Sequence, residues 1–94
     1  MGKQFSVNLD EDLLRAYGFT DYDQKNWYYV KKLDDYITIN ITIPKNNPSK
    51  IKIDVLDEFI LQPYDFMYYD NKKIKKHYKE EINKLIGANI LKIK

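Results

Sequence analysis

The side chains of this 94-residue chain best suited to chemistry are few, and each lacks the partner its chemistry needs. His77 is the single histidine and cysteine is absent, which removes Cys–His nucleophiles and metal sites built from several histidines or thiolates. A Ser-His-Asp triad would have to recruit Ser6 or Ser49 to His77, and neither serine lies in a G-x-S-x-G elbow. Gly2, Gly18 and Gly87 are isolated, so no glycine-rich loop can cradle a phosphate. Carboxylates remain. Asp54, Asp57 and Glu58, with Lys50 or Lys52 nearby, are the residue types of a divalent-metal nuclease. The strand-borne acid-x-lysine pair of restriction-type folds is missing, and a solvated strand-to-loop turn is the better account of these acids. The residues predict no catalytic centre, no metal and no cofactor.

Two features point instead to contact with another molecule. Lys72, Lys73, Lys75, Lys76 and Lys79 crowd one short segment, and net charge divides sharply along the chain. Residues 1–70 hold 8 bases against 12 acids, whereas residues 71–94 hold 8 lysines against 2 glutamates. Such a run neutralises phosphates or steers toward an acidic partner, and it also occurs as an ordinary solvated helix face. Arg15 is the only arginine, which argues against bidentate reading of guanine. His77, inside the run, reads as a boundary residue or a contact to phosphate or carboxylate. The second feature is aromatic: nine tyrosines, four phenylalanines and a tryptophan exceed what a core this small can enclose. Tyr64, Phe66, Met67, Tyr68 and Tyr69 are the densest group and supply stiff apolar anchors of the kind enriched at interfaces.

These groups must be positioned by an α+β fold. Phe5, Val7 and Leu9 alternate as a short leading strand. Asn8 with Glu11 forms a capping-box-like start to a short N-terminal helix that ends near Tyr17, with Gly18 at the left-handed position and Phe19 folding back. Trp27 to Leu33, Tyr36 to Ile43, and Ile51, Ile53 and Val55 predict a three-stranded antiparallel meander, turning at Asp34-Asp35 and at Pro44 to Lys50. In the middle strand Ile37, Ile39, Ile41 and Ile43 alternate with Tyr36, Thr38, Asn40 and Thr42, the signature of a half-buried strand. Asp57 to Asp70 is too apolar for a free loop. From Asn71 to Ile86, Ile74, Tyr78, Ile82, Leu85 and Ile86 make one helical stripe, giving an amphipathic C-terminal helix packed on the sheet. Gly87 is read as its C′ glycine, and Asn89 to Lys94 as a short edge strand or a trailing end.

Length and composition fit one domain over residues 1–94. The absence of cysteine fits a cytoplasmic chain. Neither a signal peptide nor a membrane-spanning run is predicted, because the start is not basic and apolar and the most apolar segment alternates.

The order Gly18-Phe19, Trp27-Tyr28, the Ile/Thr strand, then Ile53 to Glu58 running into Leu61-Gln62-Pro63-Tyr64-Asp65-Phe66 resembles small uncharacterised proteins of bacteriophages and prophages of low-GC Gram-positive bacteria. The resemblance spans residues 13–68 and leaves out the lysine-rich helix. That family carries no assigned activity. What the resemblance implies is context, a phage-type accessory protein in a bacterial cytoplasm, where small non-enzymatic proteins bind and block host proteins. The expectation is a protein-binding module that engages a host factor or itself through Tyr64, Phe66, Met67, Tyr68 and Tyr69. The alternative is a nucleic-acid binder using Lys72, Lys73, Lys75, Lys76 and Lys79.

Overall fold

The computed structural model describes residues 5–69 and 71–93. Its centre is the isoleucine strand, β3 (Ile37–Pro44), in which Ile37, Ile39, Ile41 and Ile43 are all buried. Branching at Cβ suits these side chains to a pleated surface. β2 (Asn26–Lys32) and β4 (Lys52–Asp57) flank β3 antiparallel, with Trp27 opposite Ile43, Tyr29 opposite Ile41 and Val55 opposite Ile39. A 3-10 turn at Pro48–Lys50 leads into β4. The odd-numbered side chains of all three strands therefore share one face.

The sheet has four strands, in the order β2-β3-β4-β5, which corrects the three-stranded meander. The added strand, β5 (Gln62–Pro63), pairs with Leu56 and Asp57. Proline cannot donate to a further strand, so Pro63 suits the edge it occupies. The chain ends form a separate ribbon: β1 (Phe5–Val7) pairs with β6 (Leu91–Ile93), Val7 opposite Leu91. Of the two readings of the C-terminal segment, the strand is observed, on this ribbon and not on the meander.

The ribbon moves the start of the first helix. Asn8 donates its N–H to the Ile90 carbonyl at 2.9 Å and its side chain accepts the Asp10 N–H at 3.2 Å, so residue 8 closes the ribbon ahead of the helix. Asp10 caps α1 (Glu11–Tyr17) instead, its carboxylate accepting the Leu13 N–H at 3.2 Å. Gly18 ends the helix at φ 124°, and the Phe19 N–H reaches the Leu14 carbonyl at 2.9 Å. Phe19 and Leu14 are both buried, completing the apolar contact of a Schellman cap.

The C-terminal helix, α3 (Lys72–Gly87), begins where expected, with Asn71 accepting the Ile74 N–H at 3.1 Å. Its end repeats the Schellman geometry with a different residue. Asn89, not Gly87, takes the left-handed conformation, at φ 64°. Ile90 N–H returns to the Leu85 carbonyl at 3.0 Å, and Asn89 N–H to Ile86 at 3.0 Å. The helix runs through Gly87 because Leu85 and Ile90, both at most 1% exposed, close the apolar contact. Ile74 and Leu85 from α3, Leu14 from α1, and Ile90 and Leu91 join the odd-face isoleucines in one buried cluster. The even-numbered face is the more open one, with Val30, Lys52 and Asp54 exposed, although Thr38 on it is buried.

Candidate functional site

The apolar linker folds into a short helix, α2 (Phe66–Tyr69), where the Asp65 carboxylate accepts the Tyr68 N–H at 3.0 Å. A continuous run of rings results. Tyr78 of α3 lies 5.6 Å from Phe66, Phe66 packs edge-on to Tyr64 at 5.0 Å, and Tyr64 stacks on Tyr69 at 5.3 Å. Tyr69 in turn meets Tyr68 edge-on at 5.0 Å. The run is rooted at one end and wet at the other. Tyr64, Phe66 and Tyr78 are half-buried against the core, whereas Tyr69 and Tyr68 are 50% and 78% exposed. Burial raises the hydroxyl pKa of both Tyr64 and Tyr78 above that of a free tyrosine. Four of the five aromatic-patch residues are thus brought together, with Tyr64 and Phe66 as footing and Tyr68 and Tyr69 as surface. The side chain of the fifth, Met67, lies outside the described set.

The lysines continue from this shelf along α3. Lys72, Lys73, Lys76 and Lys79 are exposed and Lys75 is half-buried. Lys76 approaches Glu80 at 4.0 Å, a solvated i,i+4 pair. The first turn of α3 holds no acid, so the lysines stand at the positive end of the helix dipole, where acids are the stabilising choice. His77 is not among the exposed bases: its Nδ1 lies 2.8 Å from the Leu33 carbonyl. A carbonyl only accepts, so Nδ1 carries the proton, and the bond ties the start of α3 to the β2–β3 turn.

The acids considered for metal do not converge. Asp57 Oδ1 accepts the N–H groups of Phe59 and Ile60 at 3.0 and 3.3 Å, while Glu58 accepts the Thr38 hydroxyl at 2.8 Å. Among the described residues no group of three or more acids or histidines could hold a metal ion. Ser6 and Ser49 bond to the Lys92 carbonyl and the Asn47 side chain, neither to His77.

Two features were missed in the sequence. Glu81 is 2% exposed and sits on the buried face of α3. It accepts from the Tyr17 hydroxyl and, at 3.4 Å, from that of Tyr29, and it pairs with Lys31 at 2.9 Å. Burial alone would raise its pKa, but the Tyr17 hydroxyl and the Lys31 ammonium more than offset this, leaving it below the ordinary value. The signal was spacing: 74, 78, 81 and 85 continue one helical stripe, and a glutamate inside such a stripe needs buried partners. The second feature is the β4–β5 turn, where Phe59, Ile60 and Leu61 stand 75%, 45% and 81% exposed. Three consecutive apolar residues beside Asp57 and Glu58 were its signal.

The architecture is thus that of α+β proteins with helices contributing to one face of an antiparallel sheet. No family model and no curated protein matches the chain. Among solved structures it is similar to the crystal structure of a DUF1831 family protein from Lactobacillus plantarum, with a TM-score of 0.78 and 13% identity, covering 100% of this chain and 90% of that one. At that identity the likeness speaks to the fold alone. No helix among the described residues is long and apolar enough to cross a membrane.

Proposed function

We propose that this chain is a non-enzymatic protein-binding module, a phage-encoded modulator that occupies a surface of a host protein in a bacterial cytoplasm. The observation that carries the binding role is the run of rings from Tyr78 to Tyr68. Its footing is held by the core and its end is exposed, so the anchors lose little conformational freedom on binding. Tyr68 and Tyr69 are the anchors, Tyr64 and Phe66 support them, and the α3 lysines steer toward an acidic partner. The phage context rests on the sequence resemblance over residues 13–68. The structural neighbour comes from Lactobacillus, also a low-GC Gram-positive bacterium, which is compatible with that setting.

Affinity capture from a low-GC Gram-positive host, with the chain and its Tyr68→Ala variant side by side, tests the reading. The expected result is a partner retained by the parent and lost by the variant while circular dichroism and Trp27 fluorescence stay unchanged. Equal retention by both removes the patch from the proposal.

A second reading draws on the exposed Lys72, Lys73, Lys76 and Lys79 beside the exposed Tyr68, which together would track phosphates and stack a base. It expects binding to a generic single strand or duplex at low salt that weakens steeply as salt rises. No binding at low salt eliminates it.

A further inference from the structure

Phe59, Ile60 and Leu61 form a pre-shaped apolar projection at the end of the sheet. Asp57 ties down the Phe59 and Ile60 amides, and Leu61 is held at φ 55°, a conformation that leucine rarely adopts. The Tyr36 ring, itself 60% exposed, packs against Phe59 at 5.5 Å. Contiguous exposed apolar surface of this kind marks a contact site. The charged residues that flank it in sequence, and those of the β2–β3 turn it touches, are acidic. Asp34, Asp35, Asp57 and Glu58 lie in the two turns, and neither residues 33–44 nor 53–71 contain a lysine or arginine. A partner must therefore offer an apolar or aromatic seat with a basic rim.

This chain carries such a seat. Tyr68 and Tyr69 adjoin Lys72 and Lys73, and the bond from His77 to the Leu33 carbonyl places the start of α3 beside the β2–β3 turn, whose Tyr36 touches Phe59. Both surfaces are thus at one end of the molecule. We propose that a second copy of this chain is the occupant. In this two-fold dimer the Phe59–Leu61 turn of each copy seats on Tyr68 and Tyr69 of the other, with Asp35 and Glu58 facing Lys72 and Lys73. A two-fold axis makes both contacts at once and closes the assembly, where a head-to-tail arrangement would propagate. The inference goes beyond the protein-binding reading but shares its aromatic shelf.

Sedimentation equilibrium of the full chain tests it. At low ionic strength the mass should rise with concentration from 11.3 kDa toward twice that value. Association should weaken about tenfold or more between roughly 0.01 M and 0.1 M salt, as the screening length shortens from about 30 Å to 10 Å. Leu61→Gly keeps the backbone conformation accessible and deletes the side chain, so it should weaken association by about tenfold while the fold is retained. Reversing charge tests the pairing. A copy with Asp35→Lys and Glu58→Lys, and a copy with Lys72→Glu and Lys73→Glu, should each be monomeric alone and associate when mixed.

A parent chain that stays monomeric at low salt, a dimer indifferent to Leu61→Gly, or a mixture that stays monomeric each overturns the proposal. Binding of a monomeric chain to phosphatidylcholine vesicles, lost in Leu61→Gly, would reassign the turn to lipid and likewise overturn it. Partner capture that depends on Tyr68 but survives Leu61→Gly leaves the protein-binding reading standing whatever the dimer does.

Discussion

The Tyr17 hydroxyl donates to the carboxylate of Glu81, joining α1 to the buried face of α3 across 64 residues of sequence. Lys31 of β2 reaches the other carboxylate oxygen at 2.9 Å, and Tyr29 contributes a second hydroxyl at 3.4 Å. One buried acid thereby ties both longer helices to the edge strand of the four-stranded sheet. An acid stripped of water is tolerated only when its lone pairs are filled in this way.

Removing the acid should cost more than removing any one donor. Glu81→Ala leaves two hydroxyls and an ammonium without their acceptor and is expected to destabilise by about 3 kcal/mol, at the lower end for buried pairs because Lys31 can turn to water. Tyr17→Phe should cost about 1.5 kcal/mol, and the double variant less than the sum of the two. Urea denaturation of the three variants measures the coupling. Strict additivity would show that the bond contributes nothing.

The Tyr17–Glu81 pair sets both limits of a pH window. The Glu81 pKa is lower in the folded chain than its ordinary value of 4.5, so its stabilisation is present above that value and is lost as pH falls through the folded pKa. The Tyr17 hydroxyl is raised above 10.0, by burial first and then by Glu81. Its contribution is present below pH 10 and is lost as pH climbs toward the raised value. Asp21 and Asp23 also titrate low in the folded chain, Asp23 at about 2 through the Tyr28 hydroxyl and the Lys25 amide. The diagnostic is therefore a difference. Glu81→Gln should flatten the acid limb of a plot of denaturant midpoint against pH, and Tyr17→Phe the alkaline limb.

The two glycines near the helix ends should respond oppositely to alanine. At Gly18, φ is 124° and an added Cβ would lie 3.2 Å from Tyr29 Cε1, so Gly18→Ala should destabilise by about 1–2 kcal/mol. Gly87 is helical, and its Cβ would meet nothing within 4 Å. Gly87→Ala should stabilise by about 0.5–1 kcal/mol. Thermal melts of the two variants check the sign.

Lysine at the start of α3 is expected to trade stability for binding. Lys73→Glu places an acid at the positive end of the helix dipole and should stabilise by about 0.3–1 kcal/mol at low ionic strength, with the gain shrinking in salt. The same variant should weaken capture of an acidic partner. A melt that falls at low salt, with the helix otherwise intact, contradicts the dipole argument.

Much of the architecture was legible because local physics decides it. The alternation at Ile37, Ile39, Ile41 and Ile43 admits one burial pattern. Gly18 before Phe19 marks a helix end by the backbone conformation glycine allows, and Asn71 before the Ile74 to Ile86 stripe marks a helix start by the donor it satisfies. Errors arose where two local signals competed. Gly87 is as good a left-handed residue as Asn89, and the tie was broken by Ile90 reaching Leu85 in the core. Asn8 is as good a cap as Asp10 by residue type, but the bond to Ile90, 82 residues away in sequence, draws its backbone into the ribbon.

The candidate site was legible only as composition. Fourteen aromatic residues in 94 guarantee that some are exposed, and the lysine run is visible by inspection. Neither says that Tyr64 and Phe66 turn inward while Tyr68 and Tyr69 turn outward. Sequence by itself determined the type of the longer elements, the buried face of β3 and the two helix caps at Gly18 and Asn71, because those depend on side-chain period and backbone preference within a few residues. Only the tertiary structure decided the β1–β6 ribbon, the pairing of β5 and the union of Tyr17, Tyr29, Lys31 and Glu81. It also decided the exposure of Phe59 to Leu61. Each of these depends on which distant groups are present to take up a hydrogen bond, a charge or an apolar face.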